Sequence, residues 1–175
     1  MNVDFPGIAL QRSEDALILR SERPLHTLSS AVIGGGFAQV QTILSRYVSK
    51  YYDNDDPVTD LMAFAAEQGV TGGFIGLLTA VPMRKARHIT LTDGALRVSI
   101  IITAGIGNAS AAGLSVPQIV SIGTINIIVL IAGNLVPAAM VNAIKTVTEA
   151  ETAVLVERGI RTFDGHMATG TSTDA

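Results

Sequence analysis

Short apolar runs broken by polar or glycine-rich stretches fill the first hundred residues of the chain, and apolar residues at helical spacing appear further on. Ile8-Ala9-Leu10-Gln11 and Ala16-Leu17-Ile18-Leu19 flank the polar Arg12-Ser13-Glu14-Asp15, which is the composition of a hairpin. A third strand is predicted from about Thr27 to Ile33, running into Gly34-Gly35-Gly36. Residues 40–50 fit two templates: Val40, Ile43, Leu44 and Tyr47 recur at helical spacing, yet the segment is rich enough in β-branched residues for a strand. Asp56 and Pro57 then read as the N-cap and first residue of a helix that runs from Val58 to Gln68 and stops at Gly69. Strands follow at Phe74–Val81 and Ala86–Thr92. Asp93-Gly94 marks a tight hairpin into a buried strand over Leu96–Thr103. A further buried strand spans Gly123–Ile131. A second helix covers about Ala138–Arg158, with Ala139, Asn142, Ala143, Thr146, Ala150 and Leu155 as its inward positions and Gly159 as its stop.

Between Arg97 and Lys145 no Asp, Glu, Lys, Arg or His occurs, although Gly, Asn, Ser and Thr are frequent. The stretch from Val116 to Met140 is long enough to cross a bilayer. Pro117, Gln118, Asn126, Asn134 and Pro137 interrupt it, however, and no Lys/Arg clusters flank it. A buried core of strand, loop and helix explains the pattern better than a membrane span. Neutral hydrogen-bonding groups on an apolar scaffold suit a large ligand rich in amides and poor in full charges.

Composition sharpens this picture. Hydrophobic residues make up 48% and charged residues only 15%, while aromatics reach 5% with no Trp, so Ala, Val, Ile and Leu must fill the core. A chain of 175 residues suffices for one domain with a continuous core. The formal net charge of −3 and the lack of a basic tract argue against nucleic acid as a partner. The absence of Cys removes disulfides, thiolate catalysis and Cys-based metal sites. Met1 to Pro6 carries no signal-peptide pattern, so a cytoplasmic location is expected.

Candidate chemistry is spread along the chain. Gly105-Ile106-Gly107 follows a strand, with Ser110 at the third position of a dinucleotide fingerprint, but no acidic residue stands about twenty positions on to take a ribose. The same loop could instead turn N–H groups toward a carbonyl oxygen, with Asn108 adding a carboxamide; a plain tight turn fits equally well. His26, His88 and His166 are too scattered for a metal site, and His88 belongs to the basic cluster Arg84-Lys85-Ala86-Arg87-His88, either a solvated strand edge or an electropositive rim. Glu149 and Glu151 lie two apart on the second helix and so cannot share a face. A carboxylate beside Thr146 or Asn142 would suit a general base acting on water. Ser29-Ser30 and the tail Thr169-Gly170-Thr171-Ser172-Thr173-Asp174 place hydroxyls beside glycines, but there is no G-x-S-x-G elbow.

An ordered set of segments resembles the adenosylcobinamide amidohydrolase (CbiZ) family. It comprises Leu28-Ser29-Ser30-Ala31-Val32-Ile33-Gly34-Gly35-Gly36-Phe37, Asp55-Asp56-Pro57, Phe74 to Val81, and Thr103-Ala104-Gly105-Ile106-Gly107-Asn108-Ala109. Gly123 to Ile128, Ala139 to Ile144 with Thr148-Glu149-Ala150, and Ala168-Thr169-Gly170-Thr171 with Thr173-Asp174-Ala175 complete it. The resemblance implies hydrolysis of the amide that joins aminopropanol to a propionyl arm of adenosylcobinamide, giving adenosylcobyric acid in corrinoid salvage. It also implies further structure after the Thr-x-Thr-Asp-Ala motif, so a domain cut short at Ala175 is expected.

The fold expected is a single α/β (α+β) domain, with a largely β-sheet core and two principal helices packed on it. Residue chemistry nominates Glu149 or Asp174 to activate water, Ser30 or Thr171 as a hydroxyl nucleophile, and Asn108 with Asn126 to stabilise the oxyanion. Ser29, Gly35, Gly36, Gly107, Thr124, Asn126, Asn142 and His88 are the expected substrate contacts. No metal or cofactor is called for. The expected partner is a small-molecule corrinoid, without nucleic acid or membrane, and a homo-oligomer is left open. A corrinoid-binding protein without hydrolytic activity is the alternative, with a membrane subunit behind it.

Overall fold

A computed structural model describes residues 3–116 and 123–175. In it β1 (Ile8–Arg12) and β2 (Ala16–Ser29) form the first hairpin, closed where the Ala16 N–H donates to Ser13 Oγ at 3.0 Å. β3 (Gly36–Tyr47) pairs antiparallel with β2, α1 (Pro57–Glu67) follows, and β4 (Ile75–Thr79) returns parallel to β3. The strand expected at Thr27–Ile33 is instead the end of β2, whose fourteen residues shift register between Arg20 and Leu25, around Pro24. A proline cannot donate to a ladder, so the strand bends there rather than ending. Residues 40–47 are strand, because β3 sits between two pairing partners and the ladder overrides a helical reading. Gly34, with φ of +75°, makes the turn between β2 and β3; a Cβ there would stand 2.7 Å from the Phe74 carbonyl oxygen.

The second sheet has the order β5 (Arg87–Asp93), β6 (Leu96–Ala104), β8 (Ile125–Ile131), all antiparallel. Short β7 (Ala109–Ser110) pairs with β9 (Gly170–Thr171), and α2 (Pro137–Glu157) lies between β8 and β9 in the chain. Asp56 caps α1 as its pattern predicts: the Thr59 N–H donates to Asp56 Oδ1 at 3.0 Å, and Pro57 follows.

The alternation of side chains across each strand sorts the core into layers. On one face of the first sheet, Ile18 and Leu44 pack with Leu61 and Ala65 of α1. On its other face, Leu17, Leu19 and Ile43 meet Ile101, Ile128 and Leu130 of the second sheet. The far face of the second sheet gives Ile125 and Ile127 to Leu155 of α2. The order is therefore helix, sheet, sheet, helix: an α+β arrangement with a sheet-dominated core, as the pattern of elements predicts. Aliphatic residues carry it, each fully buried Leu contributing about 1.5–3 kcal/mol.

Helix α2 corrects one expectation. Asn142, Thr146 and Ala150 are exposed, whereas Ala143 and Leu155 turn inward as expected and are joined by Met140, Val147 and Glu151; Ile144 and Thr148 border the cavity but remain exposed. A helix rich in Ala, Val and Thr shows weak contrast between its faces, so its phase is poorly marked. The uncharged Val116–Met140 run resolves into β8 and the start of α2, with residues 117–122 outside the described set. Among the described residues no helix is long and apolar enough to cross a membrane.

Leu44, wholly buried between β3 and α1, tests the layering. Leu44→Ala is expected to lower stability by about 2–5 kcal/mol in urea denaturation. A loss below about 1 kcal/mol would mean that α1 is not packed on this sheet.

Candidate active site

The residues that end the chain are tied into the fold through hydroxyl, carboxamide and carboxylate groups. The Asp174 carboxylate accepts from three donors: the Thr171 N–H at 2.5 Å, the Thr171 hydroxyl, and the Ile125 N–H at 2.8 Å. Next along, the Ala175 N–H donates to the Ile125 carbonyl at 3.1 Å and the Ala175 carbonyl accepts from the Ile127 N–H at 2.7 Å. The Thr124 hydroxyl donates to the Thr173 carbonyl at 2.6 Å, and the Thr173 hydroxyl donates to the Gly123 carbonyl at 2.7 Å. Asn108 Nδ2 donates to Ser172 Oγ at 2.8 Å and to Thr173 Oγ1 at 3.3 Å. Gly123 admits this crossing of loops, since a Cβ on it would come within 2.8 Å of the Gly107 nitrogen.

Glu151, one turn before the buried Leu155 on the inner stripe of α2, points at this loop. Its Oε1 is buried and meets no N–H or O–H donor. Burial, and then the charge and contact of Asp174, push the Glu151 carboxyl up from 4.5 to about 7. Three donors converge on Asp174 and none reaches Glu151 Oε1, so Glu151 is the carboxyl whose proton is held more tightly. Gly170 lies directly beneath the pair: a Cβ there would stand 2.7 Å from Asp174 Oδ2 and 3.5 Å from Glu151 Oε1. Such a pair can take a proton from water and return it to a leaving group near neutral pH.

Both carboxyl groups face a cavity of about 400 Å³ between the sheets and α2. Its walls are largely aliphatic, from Ile43, Ile75, Leu77, Ile128 and Val147, and Ser29 and Ser30 also border it.

The family model for adenosylcobinamide amidohydrolase matches residues 5–175. The chain belongs to the adenosylcobinamide amidohydrolase family. A member from Methanosarcina mazei, named adenosylcobinamide amidohydrolase, is 32% identical over 146 residues, covering 83% of this chain and 65% of its own. The chain thus spans just under two thirds of that relative. The uncharacterized ABC transporter ATP-binding protein YvrA of Bacillus subtilis is 31% identical over 97 residues, 55% of this chain but 21% of its own. No solved structure matches.

Set against this family's chemistry, the residues nominated from the sequence divide into groups. Thr171 and Asp174 meet at the carboxyl pair, and Asn108 and Thr124 reach the same loop. Ser29 and Ser30 border the cavity, with Ser29 Oγ accepting from the Ala31 N–H at 3.0 Å. Thr124 and Asn126 are only 3% exposed, and Asn126 Nδ2 donates to the Leu78 carbonyl at 2.9 Å. Their polar groups are spent inside the protein, which makes them clamps rather than substrate contacts. Asn108 likewise uses its N–H groups on Ser172 and Thr173, leaving none for an oxyanion. Gly36 opens β3 with a φ of +82° and Gly107 lies in the turn before β7, and neither they nor Gly35 border the cavity. Glu149 and Asn142 lie on the exposed side of α2, and His88 sits on β5 opposite Ile101. The group that sequence reasoning passed over is Glu151. Its signal was present: it lies seven and eleven residues after Ile144 and Met140, on the apolar stripe, where Glu149 does not.

A carboxyl whose folded pKa exceeds its unfolded value stabilises the fold below the unfolded pKa, and that stability is lost as pH rises through the folded one. Between 4.5 and about 7 the folded chain keeps a proton on Glu151 that the unfolded chain has released. Unfolding free energy is therefore expected to fall across this window in the wild type, and the Glu151→Gln variant to show a shallower fall. Urea denaturation at a series of pH values measures both. Identical pH slopes would show that Glu151 is not perturbed.

Proposed function

We propose that this chain hydrolyses the amide that joins aminopropanol to the propionyl arm of adenosylcobinamide, giving adenosylcobyric acid in corrinoid salvage. Family membership supplies the substrate class, and the Glu151–Asp174 pair is the observation that carries the reaction type. The four layers are read as one amidohydrolase-like domain over residues 1–175.

In the reaction, Glu151 as carboxylate takes a proton from a water molecule, whose oxygen attacks the amide carbon. The tetrahedral intermediate collapses as the carbon–nitrogen bond breaks, and Glu151 returns the proton to the departing nitrogen. The second proton of the attacking water passes from the new carboxylic acid to the released amine, so the products are a carboxylate and the ammonium form of aminopropanol, and atoms and charge balance. Asp174 is the positioning residue: held by Thr171 and the Ile125 N–H, it stands against the Glu151 carboxyl and adds to the upward push of burial. Water is favoured over a threonine nucleophile because Thr171 commits both its hydroxyl and its N–H to Asp174, and it does not border the cavity. Ser29 and Ser30 at the border of the cavity give neutral hydroxyl partners for the carboxamide arms of a corrinoid, which needs no buried charge. A cytoplasmic location and a small-molecule corrinoid as partner follow from the same reading, and the net charge of −3 weighs against nucleic acid.

The test is release of aminopropanol from adenosylcobinamide by the purified chain. Glu151→Gln is expected to cut turnover by about 10²–10⁴-fold, whereas Glu149→Gln leaves it within about twofold. Turnover of the wild type is expected to rise with pH and level off above about 7, as Glu151 ionises. Undiminished turnover in Glu151→Gln would overturn the assignment. Corrinoid binding with no aminopropanol released would favour a binding protein instead.

A further inference from the structure

Strand β5 is the edge of the second sheet opposite β8, and among the described residues it pairs with β6 alone. Edge strands are commonly blunted by a proline, a bulge, a central charge or brevity. None of these protects β5. Arg87-His88-Ile89-Thr90-Leu91-Thr92-Asp93 follows β6 in unbroken register over seven residues, and its ionic side chains stand only at its two ends. Ile89 and Leu91 are 53% and 61% exposed, and Leu96 beside them is 51% exposed. A regular edge of this kind invites pairing with another strand.

The direction of its backbone groups follows from the ladder. The Arg97 carbonyl accepts from the Ala132 N–H at 2.8 Å, so Arg97 turns its backbone groups toward the β8 side and away from Thr92. Successive residues of an antiparallel ladder alternate in this respect. Arg87, Ile89, Leu91 and Asp93 therefore spend their N–H and C=O groups on β6. His88, Thr90 and Thr92 aim theirs at the open edge.

In that geometry the strand is complementary to itself. Two copies of β5 laid antiparallel about Thr90 exchange hydrogen bonds at the Thr90–Thr90 pair and at both His88–Thr92 pairs, which are the residues with outward groups. At the intervening positions, where side chains approach most closely, Ile89 meets Leu91 of the second copy and Arg87 meets its Asp93. Each contact occurs twice about the twofold axis. Neither charge has a salt-bridge partner among the described residues. Arg87 Nη1 turns back on the carbonyls of Arg84, Lys85 and Ala86 at 3.1–3.4 Å, and Asp93 is exposed. Register is also specified. A slip of one residue faces the second copy with groups already bonded to β6, and a slip of two sets Arg87 against Leu91 or Ile89 against Asp93. By contrast β1, at the edge of the first sheet, would set Ile8 against Arg12 if paired with itself about Leu10.

We propose that this chain self-associates through β5, with a twofold axis at Thr90, so that the second sheets of two copies become one continuous antiparallel sheet. A single edge strand is a small contact, and a weak, concentration-dependent dimer is expected. No residue of β5 lines the cavity, so the interface leaves the carboxyl pair untouched and is independent of the hydrolase reading.

Sedimentation equilibrium over a series of protein concentrations reads the association. Thr90→Pro removes an outward N–H without breaking a bond to β6, and is expected to weaken dimerisation about tenfold or more. Arg87→Glu and Asp93→Lys each place like charges opposite one another, and each is expected to weaken it about tenfold. Mixed in equal amounts, these two charge variants are expected to form a heterodimer of near wild-type strength, because each supplies the charge that the other lacks. In the wild type, amide exchange at His88, Thr90 and Thr92 is expected to slow as concentration rises, while Ile89 and Leu91, already bonded to β6, stay unchanged. A wild type that remains monomeric up to about 1 mM would overturn the proposal. So would a dimer that Thr90→Pro and both charge variants leave intact, or a mixture that associates no more strongly than its components.

Discussion

A single carboxylate joins the parts of this fold that chemistry needs together. Asp174 takes the backbone N–H of Ile125 on one side and both donors of Thr171 on the other. The first contact fixes the chain's final residues along β8, and the second closes the turn that carries them. Only with that turn closed does Asp174 stand against Glu151, whose own position comes from the unrelated packing of α2 on Ile125 and Ile127. Hydrogen bonds to charged groups are worth more than neutral ones and tolerate less misplacement. Three of them on one carboxylate make a rigid seat, and burial beside that seat raises the Glu151 carboxyl.

The neutral polar residues have a different task from the one their composition suggests. Thr124, Asn126, Asn108 and Thr173 form a chain of contacts from the Leu78 carbonyl to the Gly123 carbonyl, across both sheets and the final loop. Leaving such groups unpaired in an apolar interior is costly, and their donors all find acceptors in another part of the same chain, while the buried Asn108 Oδ1 meets no donor. Their abundance reports a stitched junction between β8, the Gly105–Asn108 turn and the last residues, and the carboxyl pair sits at that junction.

Much of the architecture was legible in the residues. Asp56-Pro57 and Gly69 bounded α1, Asp93-Gly94 marked a hairpin, and the apolar runs at residues 96–103 and 123–131 became β6 and β8. Misreadings came where local signals are weak. Pro24 suggested a break that β2 passes through with a register shift, because a long antiparallel ladder absorbs one missing donor. The phase of α2 slipped by one residue, since Ala, Val and Thr surround the whole helix, and that slip placed the candidate base on Glu149. The convergence of residues 108, 124, 151, 171 and 174 is a long-range fact, set by how β7 pairs with β9 and how Ala175 pairs with β8. Spacing along the chain carries no direct trace of it.

The raised carboxyl of Glu151 is the feature most open to direct observation. Titration of the side-chain carboxyl of Glu151 by carbon NMR is expected to show a midpoint of about 7, and a lower one in the Asp174→Asn variant, where the neighbouring charge is gone but burial remains. A midpoint at the ordinary 4.5, unmoved by that substitution, would contradict the carboxyl pair and with it the catalytic role given to Glu151.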